Sequence, residues 1–264
     1  DVIFADVAEN LNRVNDWLVR AAAERVDLAV FPECALSGYA FDDRSSAVAQ
    51  AIATDGSMAD ELAAMSETHA IRFSIGVLER HGGKLFNASL LFGDGKLEGH
   101  YRKVHLPRLG VDRFVDRGDL GYPVFETPAA RIGLAICYDC SFPEPMRVLG
   151  LAGADVIALG TNWPIAAYRT AEVVPPARSM ENHLFFVAAN RVGSENGFTY
   201  AGRSSICGPD GVVLASVDDD REIMLTARID PAEARNKTIE RTPGAHVIDR
   251  FADRQPDQYG PICR

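Results

Sequence analysis

Short apolar runs alternate with amphipathic stretches along this chain, and the alternation predicts a repeating strand and helix order. From Leu11 to Arg25 apolar residues fall at helical spacing, at Leu11, Val14, Leu18 and Ala22, with Asn10 placed to cap them. Leu28–Phe31 reads as a buried strand and Met58–His69 as a second helix. Three strands are predicted near Arg72–Glu79, Leu85–Phe92 and Glu98–Val104. The dipeptides Gly82-Gly83 and Asp94-Gly95 between them tolerate the positive φ of tight hairpins. Val124–Thr127 and Arg131–Ile136 form a further pair. The second half repeats the theme with helix Pro143–Ala152, strand Val156–Leu159, helix Thr170–Asn182 and strand Leu184–Ala189. Strands near Ser204–Cys207, Val212–Val217 and Glu222–Ile229 follow, with Pro209-Asp210-Gly211 as a turn. Beyond Asp230 the pattern becomes polar and irregular. No low-complexity linker interrupts the chain, so 1–264 is expected to be one α/β domain.

Composition narrows the function classes. At 264 residues and 47% hydrophobic, the chain can bury a large core. Its 27 basic against 37 acidic residues give a net charge of -10, which argues against nucleic acid or an anionic membrane as partner. No apolar stretch reaches the ~18 residues of a membrane span. Five cysteines without a regular framework point to a reducing compartment, and a cytoplasmic location is expected.

Candidate chemistry lies where apolar runs end. The run Gly133–Ile136 stops at Cys137, and Tyr138-Asp139-Cys140-Ser141-Phe142-Pro143-Glu144 reads as a turn into a helix. A thiol at a strand's carboxyl end, near a helix N-terminus, suits a nucleophile, and both features favour thiolate. The bland alternative is a buried structural cysteine. Leu28-Ala29-Val30-Phe31-Pro32-Glu33 delivers a carboxylate to the lip of a sheet, or else a solvated capping side chain. In Gly99-His100-Tyr101-Arg102-Lys103-Val104-His105 a basic cluster interrupts a strand, which also describes an ordinary charged edge. Cys137-Tyr138-Asp139-Cys140 is formally a CxxC, but the flanking tryptophan and internal proline of a redox module are absent. No second CxxC or close His pair completes a zinc site, and neither metal nor cofactor is expected. Cys34, Cys207 and Cys263 suggest small apolar packing and nothing more.

Taken in order, Glu33 in Phe-Pro-Glu, Lys103 in Tyr-Arg-Lys-Val-His and Cys137 in Ile-Cys-Tyr-Asp form a specific constellation. With Gly118-Asp119, Ala177–Asn182, Ala188–Gly193, Gly202–Ser205 and Gly208–Gly211, the chain resembles the nitrilase (carbon–nitrogen hydrolase) superfamily over nearly its whole length. The resemblance implies a four-layer α-β-β-α sandwich and a Glu-Lys-Cys triad of Glu33, Lys103 and Cys137. It implies a buried strand ahead of the first helix, which would precede Asp1, and a tail over about 230–264 that contacts a second subunit in a homodimer or larger homo-oligomer.

The same resemblance gives the triad its expected roles. Glu33 is the general base, Cys137 the nucleophile, and Lys103 with the backbone N–H of Tyr138 the oxyanion donors. Relatives carry a second glutamate between the lysine motif and Gly-Asp, and none stands here. Asp112 is a substitute or else a surface aspartate paired with Arg113; Asp116 is a weaker candidate, and Glu144 reads as structural. His105, Asn162 and Trp163 are candidate pocket residues, each with a structural alternative. Arg178 and Glu181 read as an ion pair at i, i+3. Tyr138-Asp139 behind the nucleophile, where nitrilases proper have Trp-Glu, is similar to the amidase and N-carbamoyl branches. A small amide or ureido substrate is therefore expected, with a catalytically vestigial ligand-binding member as the alternative of another class.

Overall fold

The computed structural model describes residues 1–263; Arg264 and the Cys263 side chain, both in the expected tail, lie outside the described residues. Helix α1 (Val7–Ala23) starts earlier than expected because Asp6, through its bond from the Glu9 N–H, supplies the cap. Asn10 is instead buried inside the helix and ties it to the Ile3 and Leu36 carbonyls at 2.7 and 2.8 Å. Strand β1 (Leu28–Val30) leads into helices α2 (Arg44–Ala49) and α3 (Ser57–His69), then strands β2 (Arg72–His81), β3 (Lys84–Gly93) and β4 (Lys96–Arg102). The short α2 was missed from sequence; Asp43 caps it through the Ser46 N–H.

These four strands form one sheet in the order β1-β2-β3-β4, with β1 parallel to β2 and the rest antiparallel. The hairpin closing His81 on Lys84 turns at Gly82-Gly83, as their positive φ requires. The second sheet draws on strands β5 (Val124–Glu126), β6 (Arg131–Ile136), β7 (Val156–Thr161) and β8 (Phe185–Asn190). Helix α4 (Pro143–Leu151) joins β6 to β7, and α5 (Tyr168–Asn182) joins β7 to β8. After the small hairpin of β9 (Ser194–Glu195) and β10 (Phe198–Thr199), strands β11 (Ser205–Cys207) and β12 (Val213–Ser216) complete it in the order β12-β11-β8-β7-β6-β5.

The sheets face each other, β2 against β7 and β3 against β6. Side chains of α1 and α3 cover the first sheet through Leu11, Leu18 and Leu62 packed with Phe73 and Ile75. Helices α4 and α5 cover the second through Met146, Leu149 and Ala171 packed with Leu134, Ile157 and Phe186. The layers are therefore α-β-β-α. No helix among the described residues is long and apolar enough to cross a membrane.

Two further expectations fail. The stretch 222–229 forms no strand. Side chains at 225, 227 and 229 are half-buried and those at 226 and 228 exposed, so the pattern read from sequence is real. Pairing is what is missing: no backbone ladder joins this stretch to a neighbouring strand. The tail is also less irregular than expected. Helix α6 (Pro231–Arg235) and a hairpin of β13 (Thr238–Thr242) and β14 (His246–Asp249) dock it onto the second sheet's helices. Arg235 reaches Asp155 at 2.8 Å, and the Phe251 ring lies under the Arg147 and Lys237 cations.

Candidate active site

Glu33, Lys103 and Cys137 arrive from three separate strand ends. Lys103 follows β4, and Cys137 follows β6, where the backbone turns sharply through a φ of +43°. A left-handed non-glycine residue at a strand end is strained, and here it aims the thiol away from its own strand. The Asp139 carboxylate holds the elbow. It accepts from the Ile136 N–H at 3.1 Å, from the Tyr101 hydroxyl at 2.8 Å and from the His105 backbone and Nδ1 at 3.1 and 2.8 Å. Arg178 ties the turn behind the thiol by donating to the Cys140 and Ser141 carbonyls.

Glu33 is fully buried, and its two oxygens differ. Oε1 accepts from Lys103 Nζ and from the Asn87 amide, both at 2.7 Å. Oε2 is buried without a partner. The backbone carbonyl of the same residue accepts from the Asn162 side-chain amide at 2.9 Å. Lys103, equally buried, also donates to Asp112 Oδ2 at 2.5 Å. Asn87 and the Tyr39 hydroxyl both donate to Asp112, at 2.9 and 2.7 Å.

Burial pushes the Glu33 carboxyl up, and the Lys103 cation beside it offsets only part of that. Burial opposes the charge on Lys103, but Asp112 and Glu33 outweigh it and hold the ammonium well above the usual lysine range. The Cys137 thiol is pushed up to about 12, chiefly by burial and then by the Glu33 charge. This overturns the expectation that a helix N-terminus would favour thiolate. The residue sits in a tight 3₁₀ turn, Cys137–Ser141, and desolvation outweighs any favourable dipole. The thiol is therefore held protonated.

The other candidates separate cleanly. Asp112 is buried beside Lys103, and its expected partner Arg113 turns instead to the Gly110 and Phe41 carbonyls; the surface pair is wrong. Asp116 binds Arg44 and the Leu85 N–H, outside this cluster, and Glu144 is exposed in the first turn of α4. His105 stacks on Phe142 at 3.9 Å with its Nδ1 on Asp139. Trp163 is buried in the same apolar cluster as Cys137, its peptide clamped on both sides by Asn190. Tyr138 is half exposed with its ring edge-on to Phe142. Arg178 and Glu181 do pair, at 2.9 Å. Sequence reasoning missed Tyr39, Asn87, Asp139 as a clamp, and Thr161. Tyr39 and Asn87 act through contacts between distant chain positions that no local motif marks; Asp139 stands in the Cys-Tyr-Asp motif, but its bonds to Tyr101 and His105 are long-range, and Thr161 is buried with its hydroxyl unpartnered.

Gly118-Asp119 gains a physical meaning. A Cβ on Gly118 would lie 2.0 Å from the Arg102 carbonyl oxygen, and Asp119 receives Arg102 at 2.8 Å. Both residues therefore brace the strand end that carries Lys103. Among the described residues, no group of three His, Cys, Asp or Glu side chains could hold a metal ion.

Comparison with known proteins gives the family and the fold. The carbon–nitrogen hydrolase family model matches residues 3–237. A protein named nitrilase from Pyrococcus abyssi is 33% identical over 253 residues, covering 95% of this chain and 93% of that one. An (R)-stereoselective amidase of a Pseudomonas species is 34% identical over 226 residues, covering 83% and 79%. In fold, the chain is similar to a mutant of the amidase from Nesterenkonia sp. AN1, solved with the acetamide moiety of fluoroacetamide added covalently to its active-site cysteine. There the TM-score is 0.82 at 23% identity, covering 98% of this chain and 92% of that one. This chain belongs to the carbon–nitrogen hydrolase family of the nitrilase superfamily.

Proposed function

We propose that the protein is a cysteine-dependent amidase that hydrolyses small linear carboxamides through a thioester on Cys137. The observation that carries the reading is Glu33 Oε2, a buried oxygen without a partner on a carboxylate whose other oxygen is already bound to Lys103. A carboxylate raised by burial is a stronger base than usual, and the Cys137 thiol is protonated and close enough to feel its charge.

The chemistry follows from these positions. Glu33 takes the thiol proton as sulfur attacks the amide carbon. Charge moves to the carbonyl oxygen, where the Lys103 ammonium and the Tyr138 N–H are the donors; losing such a donor costs roughly 10²–10³ in rate. Glu33 then passes its proton to the leaving amine, the C–N bond breaks, and the acyl group stays on sulfur. Water, deprotonated by Glu33, attacks the thioester and returns the thiol. Asp112 holds Lys103 charged and fixed, and so fills the second-carboxylate role through the lysine.

The amide leaning over a nitrile rests on Tyr138-Asp139 behind the nucleophile, with the amidase relatives as support. Four free, buried thiols, at 34, 137, 140 and 207, fit a reducing, cytoplasmic setting. Exposed Val148, Leu151, Val173 and Met180 on the neighbouring helices α4 and α5 favour a homo-oligomer.

The test is a panel of short carboxamides, ω-amides, N-carbamoyl amino acids and nitriles, scored by ammonia release, with Cys137→Ala in parallel. Turnover should concentrate in the carboxamides and vanish in Cys137→Ala. Activity confined to carbamoyl compounds would move the substrate class. A Cys137→Ala variant retaining more than about a thousandth of wild-type rate would remove the covalent route.

A further inference from the structure

Thr161 closes β7, and its neighbours fix its place. Strands β6 and β7 run parallel with Ile136 opposite Gly160, so the residue after each, Cys137 and Thr161, stand side by side at the carboxyl ends. Thr161 is fully buried. Its hydroxyl oxygen has no hydrogen-bond partner, although most buried hydroxyls have one. The Asn162 amide, one residue on, acts with the Thr161 hydroxyl to lower the Cys137 thiol against its burial.

We infer that Thr161 is a further catalytic residue, its hydroxyl donating to the Cys137 sulfur as negative charge develops there. The inference rests on Cys137 being the nucleophile. A neutral thiol is a weak acceptor, which leaves the hydroxyl idle in the resting enzyme. When the S–H proton passes to Glu33, the electron pair of that bond stays on sulfur. The sulfur then accepts from Thr161 Oγ and the Asn162 N–H. As the C–S bond forms, that pair becomes the new bond and the charge passes to the carbonyl oxygen, away from Thr161. The same donors meet the sulfur again when the thioester breaks and the C–S pair returns to it. The interaction is stronger with charge than without, so it belongs to the rate and not to substrate affinity.

This explains an otherwise unfavourable arrangement. Burial and the Glu33 charge both raise the thiol, while Lys103, the Thr161 hydroxyl and the Asn162 amide act in the opposite direction. Lys103 is already shared between two carboxylates, at 2.7 and 2.5 Å. The hydroxyl has no such competing claim.

The test uses iodoacetamide on the intact protein, with Cys137 modification followed by peptide mass spectrometry from pH 6 to 10. Hydrogen bonds to a charged group predict that Thr161→Val, which keeps the shape, slows alkylation at pH 7.5 roughly ten- to a hundredfold and moves its rise to higher pH. Thr161→Ser, which restores the hydroxyl, should recover most of the rate. With a turnover substrate in hand, Thr161→Val should lower kcat while KM holds. Wild-type alkylation rates in Thr161→Val would overturn the inference. Thr161→Ala serves if the valine variant fails to fold, read by the same alkylation profile. Failure of the nucleophile reading looks different: Cys137→Ala would keep turning over, whatever Thr161 does to the thiol.

Discussion

Two glycines from opposite sheets set where the Glu33 carboxylate stands. A Cβ on Gly76 would lie 2.5 Å from the Glu33 Cα and from the Cys34 nitrogen. On the other side, a Cβ on Gly160 would lie 2.8 Å from the Phe31 carbonyl oxygen and 3.0 Å from the Glu33 nitrogen. All of these neighbours are backbone, which cannot swing aside as a side chain does. Gly160→Ala is therefore expected to push the Glu33 segment away from Cys137 and cut kcat at least tenfold, with stability falling less than in Gly76→Ala; steady-state kinetics and thermal melts of both variants check this. Around Lys103, Asp112→Asn should lower kcat by tenfold or more with KM little changed, because it removes a charge that holds the ammonium. Near-wild-type kinetics would return Asp112 to a structural role. Glu33 must be deprotonated to act, and burial raises its pKa, so kcat/KM should fall as pH drops through a value above the ordinary 4.5 of a glutamate. An acid limb at or below 4.5 would contradict that environment. The triad was legible because each member sits in a short local motif. Tyr39 and Asn87 were not, since Asp112, the partner of both, lies 73 and 25 positions away from them.

At the scale of elements, β4 is held by a charge network on the side of the strand away from the thiol. Glu79 on β2, fully buried, accepts from Arg102 at 2.8 and 2.5 Å and meets His100 at 2.8 Å; Arg102 in turn reaches Asp119. Burial alone would raise Glu79, but the hydrogen bonds from Arg102 and His100 outweigh it and lower the carboxyl to about 2. A folded pKa below the unfolded 4.5 means that the unfolded chain binds the extra proton. The stabilisation is thus complete above about pH 4.5 and is lost as pH falls towards 2. At about 1.4 kcal/mol per unit the shift is worth about 3 kcal/mol. Glu79→Gln should cost stability of that order at pH 7 in denaturant titrations, and the cost should shrink steadily from about pH 4.5 downwards; a pH-independent difference would refute the linkage. Element positions were largely readable where turn chemistry marks them, as at Gly82-Gly83 and Asp94-Gly95. Capping was harder. The sequence pattern points to Asn10 as the cap, but its tertiary bonds to Ile3 and Leu36 draw it into the helix, and Asp6 caps instead.

Across the whole molecule, protection of the backbone is uneven. Strand β6, which delivers Cys137, has β5 and β7 bonded on its two sides and is buried over Ile132–Ile136. The stretch 222–229 is the opposite case. Its apolar residues touch both cores, Met224 packing against the outer side of the first and Ile229 against the second, yet no ladder holds its amides. Alternation in sequence reports which side chains are turned inward, and it did so correctly from Leu225 to Ile229, whereas Ile223 is exposed and Met224 half-buried; it carries no information on whether a neighbouring backbone stands within the ~4.8 Å that pairing needs. Amides without ladder partners open at low free energy, whereas those of central strands open only with the whole fold. For this 264-residue chain, hydrogen exchange followed by mass spectrometry should show peptides over 222–229 exchanging within seconds, while Arg131–Ile136 stays protected for hours. Comparable protection in the two would mean that the amides of 222–229 are hydrogen-bonded in solution after all. The active site should be indifferent to that outcome, because every bond that positions Glu33, Lys103 and Cys137 comes from residues outside the stretch.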